Sequence, residues 1–119
     1  MNPVLNQNKS SWDAMADTWF GSTALPVYGC LAPTEDELHL FLDLSGKKVL
    51  DIGCGSGHSL RWCGQKGAAE LWGLDLSEKQ ISNAQSYLTE NGYQIAQERD
   101  IQNIGKQLKD IYESVYHQK

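Results

Sequence analysis

"VLDIGCGSGHSL" (residues 49–60) decides how this chain is read. A short apolar run carrying one acid, Asp51, leads into glycines at 53, 55 and 57. The run reads as a strand. Glycine weakens regular structure, so three at alternate positions mark a turn that needs unusual dihedrals or a ligand close to the backbone. The flanking stretches decide which ligand.

Downstream, 57–65 reads as a helix ended by "KG", and "AELWGLD" (69–75) as a second buried strand. Ser77 with Gln80 has the spacing of a capping box, and Ile81, Ala84 and Leu88 carry a helix on to Asn91-Gly92, a normal stop. "YQIAQER" (93–99) reads as a third strand. Upstream, Trp12, Met15, Ala16 and Trp19 stand at helical spacing behind a serine cap. A Gly/Pro-punctuated loop fills 21–33. Thr34 and Glu37 form a second capping box, followed by Leu38, Phe41 and Leu42 on one face. "GKK" (46–48) then turns the chain into the first strand. The order is β-α-β-α-β, which predicts a parallel sheet with right-handed crossovers and strands covered on both faces.

In such a sheet, a strand, a glycine turn and a helix form a nucleoside or dinucleotide crevice. Asp75 ends the second strand, where a carboxylate accepts hydrogen bonds from a ribose diol. Three nucleotide patterns compete. The NAD pattern G-x-G-x-x-G/A wants a small third residue, and counting from Gly53 and Gly55 that position is His58. No Gly-Lys-Ser/Thr follows at P-loop spacing. What remains is acid-x-G-x-G-x-G, which Asp51, Gly53, Gly55 and Gly57 fit throughout.

Composition bounds the partners. The chain has 119 residues, enough for one domain, and no apolar run long enough to span a membrane. A net charge of −5 disfavours nucleic acid and anionic membrane. The polar start "MNPVLNQNKSS" lacks a signal core. Cys30, Cys54 and Cys63 form no CxxC pair and are odd in number, so neither a disulfide framework nor a zinc site is implied and a reducing cytoplasm is expected.

"VLDIGCGSG" followed by "LWGLDLS" resembles the first two motifs of the class I S-adenosylmethionine-dependent methyltransferases. "WDAMADTWF" and "GKK" are similar to the entry helix and turn of small-molecule members, and "QERDIQN" to the third motif. The resemblance implies an α/β, Rossmann-like, doubly wound parallel sheet. It implies that Gly53, Cys54 and Gly55 lie against the methionine part of the cofactor, with Asp51 near its amino group. By the same resemblance Asp75 binds the ribose hydroxyls, Leu76 packs on the adenine, Asp100 accepts from the adenine amino group, and the Ile101 amide donates to the ring. Trp19 and Tyr28 are placed to close the site from the amino-terminal side.

Plainer readings stand beside these. As the lesser reading, Asp51 is an acid satisfying loop amides, Asp75 a helix-start acid before Ser77, and Asp100 a turn residue. Cys54 reads as a small filler, since nothing basic stands beside it. His58 reads as a solvent-facing first-turn residue, and the four tryptophans as core or lid packing.

The family fold has seven strands, and this chain carries the first three to four. "YESVY" (112–116) is similar to the opening of the fourth strand, whereas Ile104, Leu108, Ile111 and Val115 also make a helical stripe. The expected division is an amino-terminal helix and lid over 1–33 and an incomplete S-adenosylmethionine-binding domain over 34–119. The expected activity is methyl transfer to a small molecule, with a non-catalytic nucleoside-binding or assembly module as the alternative. Asp75→Ala is expected to cost cofactor affinity more than stability. An exposed first-strand edge without guarding lysines predicts a homodimer.

Overall fold

The computed structural model describes residues 2–22 and 24–94. The elements are helix α1 (Pro3–Met15), helix α2 (Glu35–Leu38), strand β1 (Lys48–Ile52), helix α3 (His58–Gln65), strand β2 (Glu70–Leu74) and helix α4 (Glu78–Glu90). Strands β1 and β2 pair in parallel, Lys48 opposite Glu70 and Ile52 opposite Leu74. This is an incomplete Rossmann-like sheet. Most of the expected third strand (93–99), Asp100, Ile101, "YESVY" and the stripe over 104–115 lie outside the described residues, and Tyr93 and Gln94 are not in a strand.

Both crossover segments obey their local signals. Gly57, with φ of 84°, is the N-cap of α3, and Ser77 caps α4 by accepting from the Gln80 amide at 3.1 Å. Cys54, Leu60 and Leu88 form the buried core, with Val49, Leu71, Ile81, Tyr87 and Tyr93 packed around it. A side chain at Gly57 would press on Leu88 and Ala84 at 3.2 and 3.3 Å. One at Gly73 would stand 2.8 Å from both Cys54 Sγ and Leu60. These two glycines let α3 and the turn lie flat on β2 and α4, the close approach that glycine permits in a strand.

Several expectations are corrected. Helix α1 starts well before the serines: Asn2 caps it, accepting from the Val4 and Leu5 amides at 2.8 and 3.1 Å, with Pro3 in the first turn. Its stripe enters no core; Ala16 is buried, while Trp12, Met15 and Trp19 stay partly exposed. The Thr34–Glu37 capping box forms, but the helix ends after one turn at His39, which is left-handed, and Phe41 and Leu42 lie exposed beyond it. Strand β1 begins at Lys48, so its edge does carry a lysine, whose Nζ lies 3.3 Å from Glu70. Cover on both faces is also not seen among the described residues. Val49 and Leu71 face the core, whereas Leu50, Ile52 and Trp72 are 47%, 68% and 46% exposed.

The amino-terminal segment is held by polar contacts. Asp13 accepts from the Ser77 hydroxyl and from the Lys79 amide at 3.2 Å, so a carboxylate of α1 caps the positive end of α4. Asn83 donates to Asp17 at 3.0 Å, one turn further along. Next, the Gly21 amide donates to Ser56 Oγ at 3.2 Å and the Leu25 amide to Ser59 Oγ at 3.0 Å. Two serines at the start of α3 thus hold the strap that follows α1.

Candidate functional site

The carboxyl ends of β1 and β2 open into a cavity of about 330 Å³. Asp51 is the fourth residue of β1, opposite Gly73, and is half-buried. Gly53 and Cys54 then both donate their amides to the Leu74 carbonyl, at 2.6 and 3.0 Å, which folds the turn back over the end of β2. Gly53 and Gly55 have φ of 77° and 52°, a region that residues with a Cβ enter at a cost. Asp51, Gly53, Cys54, Gly55 and Asp75 all line the cavity. Leu76 follows Asp75, partly buried, and is not among the lining residues.

Asp75 does more than its expected role. Its Oδ2 accepts from the Gly55 amide at 2.9 Å, and its Oδ1 accepts from the Ser77 amide at 2.8 Å. Both the plain helix-start reading and a tie to the glycine turn therefore hold for Asp75. An ionised carboxylate has about four lone-pair positions, so two remain for a ligand. Asp51 is the opposite case. Among the described residues it accepts no loop amide, so the reading of it as an amide-satisfying acid fails. Burial raises the Asp51 pKa, and the neighbouring charge of Asp75 raises it further. Neither acid has an ion-pair partner among the described residues.

The Cys54 thiol is pushed up to about 12 by burial and then by the charges of Asp75 and Asp51. It stays a protonated filler and no nucleophile. His58 is not solvent-facing as expected. Its ring stacks on Tyr87 with centroids 3.8 Å apart, meets Phe20 edge-on at 4.7 Å, and Nδ1 lies 2.8 Å from Ser56 Oγ. Burial, and then the Arg61 charge, lower its pKa. Tyr28 does not reach the cavity lining; its hydroxyl donates to the buried Glu35, which raises the phenol to about 12. Burial pushes Glu35 up, but the Tyr28 hydroxyl and the Phe41 and Leu40 amides outweigh it and lower its pKa.

Trp19, expected at the amino-terminal side of the site, lines the cavity beside the two acids. The lining residues that the sequence reading missed include Trp12 on α1, Ser56 in the glycine turn and Gln80 on α4. A tryptophan spacing that looks like helix packing carries no sign of which cavity it flanks. Among the described residues, no group of three or more histidine, cysteine or acidic side chains is arranged to hold a metal ion. No helix among them is long and apolar enough to cross a membrane.

Comparison with known families matches residues 49–113, from the start of the glycine-turn strand onward, to the Methyltransferase domain family. The chain belongs to that family. It stands with the class I S-adenosylmethionine-dependent methyltransferases, as their amino-terminal portion. Ubiquinone biosynthesis O-methyltransferase of Azoarcus sp. (strain BH72) is 50% identical over 52 residues, which cover 44% of this chain and 22% of that protein. The Dechloromonas aromatica (strain RCB) protein of the same name is 27% identical over 118 residues, covering 94% of this chain and 50% of that one. A tRNA U34 carboxymethyltransferase of Idiomarina loihiensis is 53% identical over 36 residues, 30% of this chain and 11% of that protein. The chain spans half or less of the length of these curated relatives. A methyltransferase family implies a cofactor of the S-adenosylmethionine type, and the cavity's chemistry can be tested against it.

Proposed function

We infer that this cavity binds S-adenosylmethionine, and S-adenosylhomocysteine as product, in the service of methyl transfer to a small molecule. One observation carries the reading: two neighbouring carboxylates, Asp51 and Asp75, face one cavity with no cation between them among the described residues. Like charges at close range raise each other's free energy, and a cationic ligand relieves it. S-adenosylmethionine brings an ammonium and a sulfonium. When bound, it supplies an electrophilic methyl group for in-line displacement.

The residues of this chain then hold and shield. Asp75 keeps free lone pairs for the ribose diol, Asp51 faces the amino end, and Gly53, Cys54 and Gly55 offer a backbone-close surface to the methionine chain. Leu76, Asp100 and Ile101 complete the proposed adenine side. Trp12 and Trp19, on α1 and the turn after it, exclude water from the opposite side, and exclusion of water favours displacement at a charged centre. Division into a lid over 1–33 and a domain over 34–119 is part of this proposal, as are cytoplasmic placement, supported by three free cysteines, and a homodimer. A small-molecule acceptor is supported by the ubiquinone-biosynthesis names of the relatives.

Calorimetric titration with S-adenosylhomocysteine and, separately, NAD tests the reading. Binding of the first with no heat from the second is expected. The reverse preference, or binding of neither, overturns it.

A further inference from the structure

The Ser77–Gln80 pair predicts a capping box in which each side chain bonds the other's backbone. Only half of it forms. Ser77 Oγ accepts from the Gln80 amide, but the Ser77 amide goes to Asp75 Oδ1 instead of to Gln80. The carboxamide of Gln80 is therefore released from the role that its spacing assigns. The residue is only 6% exposed, and its Oε1 is buried with no hydrogen-bond partner among the described residues. An acceptor left in that state costs free energy until a donor reaches it.

The orphaned acceptor sits in a telling place. A Cβ built on Gly55 would stand 3.8 Å from Gln80 Oε1 and 4.0 Å from its Cδ, so the amide lies against the Gly55 turn. Gln80 lines the same cavity as Asp51 and Asp75. The last torsion of a glutamine is broad, so the amide of this lining residue is free to re-aim its oxygen. With no donor among the described residues, a ligand group lying over Gly55 is the candidate donor. Resting on the S-adenosylmethionine reading above, that group is the amino-acid end, where the ammonium is the one N–H donor and the carboxylate only accepts.

We propose that Gln80 is a cofactor-binding residue whose Oε1 accepts a hydrogen bond from the ligand's α-ammonium, opposite Asp51. Gln80 thereby distinguishes ligands that carry the amino group from those that lack it. The pair divides the work: Asp51 supplies charge, and Gln80 supplies a neutral acceptor that adds no third negative charge to the cavity.

The test is calorimetry on the full chain with two probes, S-adenosylhomocysteine and its analogue lacking the α-amino group. Gln80→Met keeps the volume and the helix propensity while removing the acceptor. It should weaken S-adenosylhomocysteine about tenfold or more and leave the deamino analogue unchanged, the loss expected for a hydrogen bond to a charged group. Equal weakening of both probes, or of neither, overturns the proposal. Failure of the wild-type chain to bind either probe overturns the cofactor reading itself, which separates the two failures. If Gln80→Met loses its fold by circular dichroism, Gln80→Asn replaces it: with the acceptor withdrawn by one methylene, it should weaken S-adenosylhomocysteine selectively over the deamino analogue. Equal weakening of both probes there overturns the proposal.

Discussion

Asp75 joins three parts of the molecule through one side chain. It fixes the Gly55 amide, satisfies the first free amide before α4, and keeps lone pairs toward the cavity. The expectation that Asp75→Ala would cost affinity more than stability is therefore revised. Two hydrogen bonds to a charged group are lost, each worth about 1.5–3 kcal/mol in general, so the unfolding free energy should fall by about 2 kcal/mol or more. Urea denaturation measures this, and an unchanged midpoint would show that the turn holds without the acid.

The glycines separate at the same scale. Gly53 has open space where a Cβ would stand, whereas Gly57 has Leu88 and Ala84 within 3.3 Å. Both have positive φ, which costs about 1–2 kcal/mol for a residue with a side chain. Gly57→Ala should lose about 1–3 kcal/mol more than Gly53→Ala, from overpacking. Equal losses in paired denaturation curves would mean that α4 yields freely to the added methyl.

At the scale of elements, α1 is attached by its acid more than by its apolar stripe. Lys9, the Ser77 hydroxyl and the Lys79 amide hold Asp13 down to about 2. A carboxyl whose folded pKa lies below its ordinary value of 3.8 stabilises the fold above that value. The contribution is lost as pH falls through about 2. Thermal midpoints of wild type and Asp13→Asn, followed from pH 5 to 2, should converge as the pH drops. Parallel curves would place the docking of α1 elsewhere. His58 acts in the same direction at higher pH. Its folded pKa lies below 6.5, so the unfolded chain takes up the proton first and stability declines as pH falls below 6.5. Replacing His58 by Phe, which keeps a ring against Tyr87 and Phe20, should remove that decline; persistence of it would assign the effect to another group.

For the whole molecule, the face of the sheet away from the core decides association. Leu50, Ile52 and Trp72 project from it, and β1 has no strand partner on its second side among the described residues. Exposed apolar strand edges invite pairing, and Lys48, at the very start of β1, guards only one end. The homodimer proposed above should appear by light scattering at micromolar concentration, and Ile52→Lys should convert it to monomer. A wild-type monomer that binds no hydrophobic dye would show instead that residues 102–119 cover the face within one chain.

The sequence by itself determined the order of strand, glycine turn, helix and strand, the left-handed glycines, and the serine cap of α4. These depend on dihedral preference and on partners a few residues away, which a linear reading can rank. Tertiary structure alone decided which acceptor wins each contested donor. Asp75 rather than Gln80 takes the Ser77 amide, Asp13 reaches across to Ser77, and Ser56 and Ser59 hold the strap. Each such bond is worth about 1 kcal/mol net, so local spacing cannot choose among rivals that differ by less. The choice follows from which groups the packed core brings within 3 Å or so. The same packing leaves the Gln80 oxygen beside Gly55 without a partner among the described residues.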